Sequence, residues 1–240
     1  MAQVTPETQG MAAWHHRGPS LGGLGIVFVA LFIASQLVMG VMTGGTRFPT
    51  PYAPITAAQA YYLQHADAVR IAAFLQFGAA IPLGIFTATV TSRLNFWGMN
   101  VAGVSIALFG GFAASIFLAA SALAGWALSQ PGIAEQVGAM RTVQLLGFAT
   151  GGVGHVVPLG LLLAGVTVPS AFARLLPRWL VYLGLILAAI AELSTLSLVL
   201  PQASFLLPLG RFPAFIWMIG VGFTMPTSRD VSARRGSIGT

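Results

Sequence analysis

The chain of 240 residues contains no cysteine and no lysine, and only 7% of it is Asp, Glu, Lys or Arg. Without cysteine there is no disulfide, thiolate nucleophile, Cys-ligated zinc or iron–sulfur cluster. Without lysine there is no Walker lysine, no Schiff base to pyridoxal phosphate or retinal, and no lysine general base. An ordinary soluble domain carries about 25% charge, so the 5 acids and 11 arginines are too few to build a water-soluble surface. The formal net charge of +6 comes from arginines scattered singly rather than in a block, which excludes a nucleic-acid patch. Whatever chemistry remains must use those acids, 4 histidines, arginine and neutral polar groups.

What is present is apolar sequence, 56% of the residues. Stretches at 21–42, 69–91, 98–128, 141–166, 178–200 and 209–226 are almost free of charge. Each is long enough to cross a hydrocarbon core about 30 Å thick at 1.5 Å of helical rise per residue. The expected fold is all-α, a multi-pass membrane bundle of six transmembrane helices, with polar tails at 1–20 and 227–240. The first tail, with His15, His16 and Arg17, is expected to be disordered or to lie on the surface. Leu21–Met42 is too long for the apolar stretch of a cleaved secretory signal and reads as a retained span. Arg17, Arg93, Arg174, Arg178, Arg229, Arg234 and Arg235 fall on one side, and Arg47, Arg70, Arg141 and Arg211 on the other. The positive-inside rule then places both termini in the cytoplasm. Trp97 and Trp179, on that same side, suit the headgroup level.

The longest connection, Thr43 to about Ala68, opens with Gly44, Gly45, Pro49, Pro51 and Pro54, which break a helix. Thr56 and Gln59 then form a capping-box pattern, so a helix is expected to begin there and run on into the second span. Tyr61, Tyr62 and His65 would sit in the outer interfacial belt, or act as a lid over an outward-facing site. An internal echo joins Gly78-Ala-Ala-Ile-Pro82-Leu-Gly84-Ile to Gly154-His-Val-Val-Pro158-Leu-Gly160-Leu. It is either a helical-hairpin repeat or a shared kink solution, and each proline removes one helix hydrogen bond.

An ionisable group inside a span costs about 2.5–3.5 kcal/mol on insertion scales, so each one calls for a partner. Glu192 is expected about 20 Å above Trp179, with Thr195 at i+3 able to hydrogen-bond it. On the fourth span Arg141, Gln144, Phe148, Gly151 with Gly152, and His155 follow a single helical stripe. A ligand site lined by Glu192, Arg141, Gln144, His155, Arg211 and Thr195 is therefore expected between the fourth, fifth and sixth spans, with Arg70 and Arg211 at its outer rim. Bland alternatives stand beside it: the boundary arginines snorkel to headgroups, Glu192 is a structural lock, and His155 bonds a carbonyl freed by Pro158. Asp67 and Arg70 at i, i+3 read as an interfacial pair of small weight.

Only His155 and Glu192 fall deep, at depths differing by about 10 Å on helical rise. A metal site or bis-histidine haem is therefore not expected, and no cofactor is assigned. No Ser-His-Asp arrangement is credible, because a serine within a span usually bonds its own helix carbonyl. Gly151-Gly-Val-Gly154 follows no strand and so fails the dinucleotide test. Gly103, Ala107, Gly110, Gly111 and Ala114 of the third span read as close-packing surfaces.

The strings Gly154-His-Val-Val-Pro-Leu-Gly-Leu-Leu-Leu-Ala-Gly-Val166, Leu176-Pro-Arg-Trp-Leu180, Ala191-Glu-Leu-Ser-Thr-Leu-Ser197 and Leu207-Pro-Leu-Gly-Arg-Phe-Pro213 carry a resemblance. Over about residues 20–226 the chain resembles uncharacterised bacterial six-helix integral membrane proteins of a domain-of-unknown-function family. That resemblance implies the six-helix fold and brings no activity with it. The arginine-only, alanine-rich composition also fits a GC-rich bacterial genome and a bacterial inner membrane.

Three functional readings follow. The first is a protein that binds or transports a small molecule or ion at the polar site. The second is a non-catalytic accessory or interaction subunit, packing against another membrane protein or a second copy of itself through the Gly/Ala-rich third span. The third, an intramembrane enzyme using Glu192 and His155 as acid and base, requires both groups within reach of one substrate and is disfavoured by their depths.

Overall fold

Ser20 starts the first helix. Its hydroxyl accepts the Gly23 amide at 3.2 Å, satisfying one of the free donors of a helix N-terminus. The computed structural model describes residues 14–229. In order these form β1 (Trp14–His15), α1 (Leu21–Met42), α2 (Ile55–Gln64), α3 (Ala66–Phe96), α4 (Ala102–Leu128) and α5 (Val137–Ala149). A π-helical segment, Thr150–Gly154, joins α5 to α6 (His155–Phe172). Then come α7 (Arg178–Leu193), 3-10 turns at Ser194–Leu198 and Pro201–Phe205, α8 (Leu206–Thr224) and β2 (Ser228–Arg229).

Six helical stretches are long and apolar enough to cross a membrane: Leu21–Met42, Ala66–Phe96, Ala102–Leu128, Val137–Phe172, Arg178–Leu198 and Pro201–Thr224. They are consistent with an integral membrane protein. The first matches the expected bounds at both ends. The last begins at Pro201 rather than 209, because the turn Pro201–Phe205 leads directly into α8. That shift moves Arg211 from the edge of the span to its interior.

The capping box does not form. Pro54 occupies the N-cap, so Thr56 lies two positions too far inside to cap, and the Gln59 amide instead donates to Ala134 O at 2.9 Å. Nor does α2 run on into the second span, because His65, at φ −123° and ψ 27°, breaks the helix. Tyr61 and Tyr62 are buried against Phe48 rather than set in an outer belt.

The small residues of α4 let it lie between α3 and α6. A Cβ on Gly110 would come 2.6 Å from Pro158 O, and one on Gly165 would come 2.5 Å from Gly103 O. A Cβ on Gly111 would collide with Thr87 of α3. This is the close helix approach that lipid-embedded bundles use in place of a hydrophobic driving force. The faces expected to be adhesive are therefore covered within the chain. Pro82 and Pro158, the centres of the internal echo, lie in α3 and α6, the two helices flanking α4. Between α1 and α8, Phe28, Phe32, Phe212 and Phe215 pack edge to face.

At the other end of the bundle the first and last described segments meet. Trp14 pairs with Arg229 and His15 with Ser228 in an antiparallel bridge. The Arg93 guanidinium, buried, donates to Met225 O at 3.1 Å, and the Trp97 indole donates to Pro226 O at 3.1 Å. Residues 14–16 are thus paired and lie at the surface, the second of the two expected states; the rest of the tails, 1–13 and 230–240, lies outside the described residues. His16 places its Nε2 3.1 Å from the Ser92 hydroxyl. Burial, and then the nearby Arg93 cation, hold its pKa below the usual histidine value.

Two outcomes are expected. Gly165→Leu should separate α4 from α6 and cost about 3 kcal/mol by overpacking, measured as a fall in reversible unfolding free energy in mixed micelles; an unchanged value would refute the packing account. Because the His16 pKa is lower folded than unfolded, the terminal clasp is fully stable above about pH 6.5 and weakens as pH falls through that value towards the folded pKa. Thermal unfolding scanned from pH 8 to pH 5 should show a shallower loss in His16→Gln than in the parent. Equal slopes would remove His16 from the clasp.

Candidate functional site

The fourth span builds one wall of a cavity. Along α5 and the π segment, Gln144, Phe148, Gly151 and Gly152 recur at helical spacing and line a space of about 300 Å³. This is at the lower end of small-molecule sites. Phe32, Ser35 and Met39 of α1, Ala72, Ala73 and Gln76 of α3, and Ser121 and Ala122 of α4 close the other sides. Arg211 enters from α8. The site thus lies among spans one, two, three, four and six; the fifth takes no part.

Residues Phe48, Pro49, Thr50 and Pro51 of the long connection form the roof. Two side chains of α5 hold it. The Gln144 amide donates to Pro49 O at 3.1 Å, while Arg141 donates through Nη1 to Gln144 Oε1 at 2.9 Å and through Nη2 to Pro51 O. Arg141 therefore does not simply snorkel to headgroups. Tyr62 of α2 also lines the cavity below the roof. Burial, with Tyr61 adding to it, pushes its phenol pKa up, so it stays a neutral hydroxyl at the wall.

Arg211 is the candidate residue whose place the sequence reading missed. It lies inside the sixth span, with Nη2 donating to Gly151 O of the π segment and its guanidinium carbon 5.5 Å from the centre of the Phe32 ring. Its Nε is buried without a hydrogen-bond partner. Among the described residues the sole ion pair is the exposed Asp67–Arg70 contact at 2.6 Å, as the i, i+3 spacing predicts, so no carboxylate neutralises Arg211. The π segment supplies the carbonyl. Such single-turn π-bulges occur frequently at functional sites, and Ser121 of α4 supports this one by donating to Gly147 O at 2.9 Å.

Three expected members fall elsewhere. His155 is fully buried, and since a carbonyl can only accept, its Nδ1–H donates to Ala114 O of α4 at 2.9 Å. It fastens two helices and does not face the cavity; its partner carbonyl is not the one freed by Pro158. The π segment explains this, because its extra residue rotates everything after it by about 100° relative to a regular helix. Glu192 and Thr195 are exposed, and no hydrogen bond joins them. The buried face of α7 is Leu180, Gly184, Leu187, Ala188 and Ala191, and Glu192 lies one residue around from it. In the following 3-10 turn Ser194 and Ser197 face inward, each bonded to a carbonyl of its own chain segment, and Thr195 points outward. Glu192 and His155 thus share no substrate position.

No family model, curated protein or solved structure matches the chain. The site must be read from its own geometry.

Gln144→Leu should free the roof. Leaving the Pro49 carbonyl and one Arg141 donor unmatched costs about 1–3 kcal/mol, and amide deuterium exchange at Phe48 and Thr50 should accelerate while α4 is unchanged. Parent-like exchange at both amides would show that the roof is held by other contacts.

Proposed function

We propose that the protein is a multi-pass membrane protein that takes a small molecule into the roofed cavity from the side opposite its termini, as a binder or transporter. The observation carrying this reading is the cavity itself, polar at its depth through Arg211 and Gln76 and closed by a segment latched through side-chain hydrogen bonds and ring contacts. A purely structural bundle has no use for a roofed space of about 300 Å³ containing a charge. By helical rise Gln76 lies about 15 Å from the start of α3, so the space extends well into the span.

The arginine distribution supports a cytoplasmic location for both termini and puts the roof outside. With the arginine-only composition and the family resemblance, it favours a bacterial inner membrane. No comparable observation favours an accessory subunit, because the small-residue face that would carry such contacts is occupied by α3 and α6.

A chain without cysteine allows a clean test. In sealed cells Gln76→Cys, on the cavity wall, should react with an externally added, membrane-impermeant thiosulfonate at least tenfold faster than Ile116→Cys, which faces outward from α4. Equal inertness at both positions would remove the outward-opening cavity.

A further inference from the structure

From the surroundings of Arg211 we infer that the cavity's ligand is a small organic anion, with an oxyanion head on the Arg211 guanidinium and an apolar body between Phe32, Met39, Ala122 and Phe148. This rests on the reading of the cavity as a small-molecule site and adds the chemistry of its occupant.

The argument starts from what surrounds the charge. A guanidinium away from bulk water requires compensation, and an uncompensated one is among the costliest groups a fold can hold. Here the compensation is partial. One N–H reaches Gly151 O and the Phe32 ring lies beneath the plane, but both partners are neutral. Among the described residues no acid is placed to help: Asp67 is paired with Arg70, and Glu135 and Glu192 are exposed. Arg211 lines the cavity, so a negative charge entering there can meet the guanidinium.

The fork of a guanidinium matches the paired oxygens of a carboxylate or phosphate, and this pairing is bidentate and short. A second polar group of the wall, the Gln76 amide, makes no hydrogen bond among the described residues and can donate to an occupant of the cavity. The rest of the wall is mostly apolar, with Ser35, Gln36, Ser121 and Gln144 among Phe32, Met39, Ala122 and Phe148, and Phe148 lies edge-on to Tyr52. A cavity of about 300 Å³ corresponds to roughly ten water volumes, which limits the body to a few carbons or one ring. The reagent of matching shape is benzoate, and its uncharged isostere is benzamide.

The test uses the full chain in phosphatidylcholine nanodiscs, with ligand-dependent thermal stabilisation giving apparent Kd values. Benzoate should bind at least tenfold tighter than benzamide, and Arg211→Met should erase that preference while Arg211→Lys retains part of it. In phosphatidylglycerol nanodiscs, loss of the benzoate shift by competition would support the same oxyanion site and identify the lipid phosphate as its source. A retained shift would support a free organic acid. Equal affinity for benzoate and benzamide would overturn the inference while leaving a small-molecule cavity. Binding of neither, with Gln76→Cys still reactive from outside, would overturn the inference alone; an inert Gln76→Cys would overturn the underlying reading.

Discussion

An arginine inside a membrane span must be answered by its surroundings, and in this protein the answer is incomplete. Arg211 is held by the Gly151 carbonyl and the Phe32 ring, and among the described residues no carboxylate pairs with it. Neutral partners orient a guanidinium without cancelling its charge. The arrangement around it then follows: a helix that exposes a carbonyl, a wall of aromatic and small residues, and a roof that separates the charge from bulk water.

The packing of the bundle makes this geometry available. Glycines on α4 and α6 bring those helices to backbone contact and so seat the fourth span against α4. Pro158 offers no N–H to the Gly154 carbonyl, and directly before it the chain adopts the π segment. At Gly151 any Cβ would collide with Ser121, so only a glycine lets the segment lie against α4 while presenting its carbonyl to α8. His155, turned by the same segment, fastens it to Ala114. The π segment thus serves packing on one side and the cavity on the other.

How much of this was legible in the sequence depends on the length scale of each signal. Six spans follow from hydropathy alone, and α1 was readable to the residue. The stripe Gln144, Phe148, Gly151 and Gly152 was readable because a regular helix repeats every 3.6 residues. It failed at His155, where a π turn changes the phase without any mark in the hydrophobic pattern. Glu192 stood out by depth, but depth says nothing about azimuth, and one residue around from Ala191 it leaves the packed face. Arg211 was taken as a boundary residue because Pro201–Phe205 reads as loop, whereas a 3-10 turn there carries the span outward. The roof was hidden for another reason. Its contacts are backbone carbonyls of Pro49 and Pro51 meeting side chains about ninety residues away, and no local pattern encodes that.

The central claim is that the Arg211 charge is unrepaid within the chain and kept for something that enters the cavity. It is tested most directly by the unfolding free energy of Arg211→Met in the absence of any added anion. Replacing a charge that its surroundings do not neutralise with an apolar side chain of similar length should leave the protein at least as stable as the parent, as removal of buried ionic groups often does. A loss of about 3 kcal/mol or more, the size expected when a satisfied buried ionic contact is broken, would show that Arg211 is a structural lock and contradict the account.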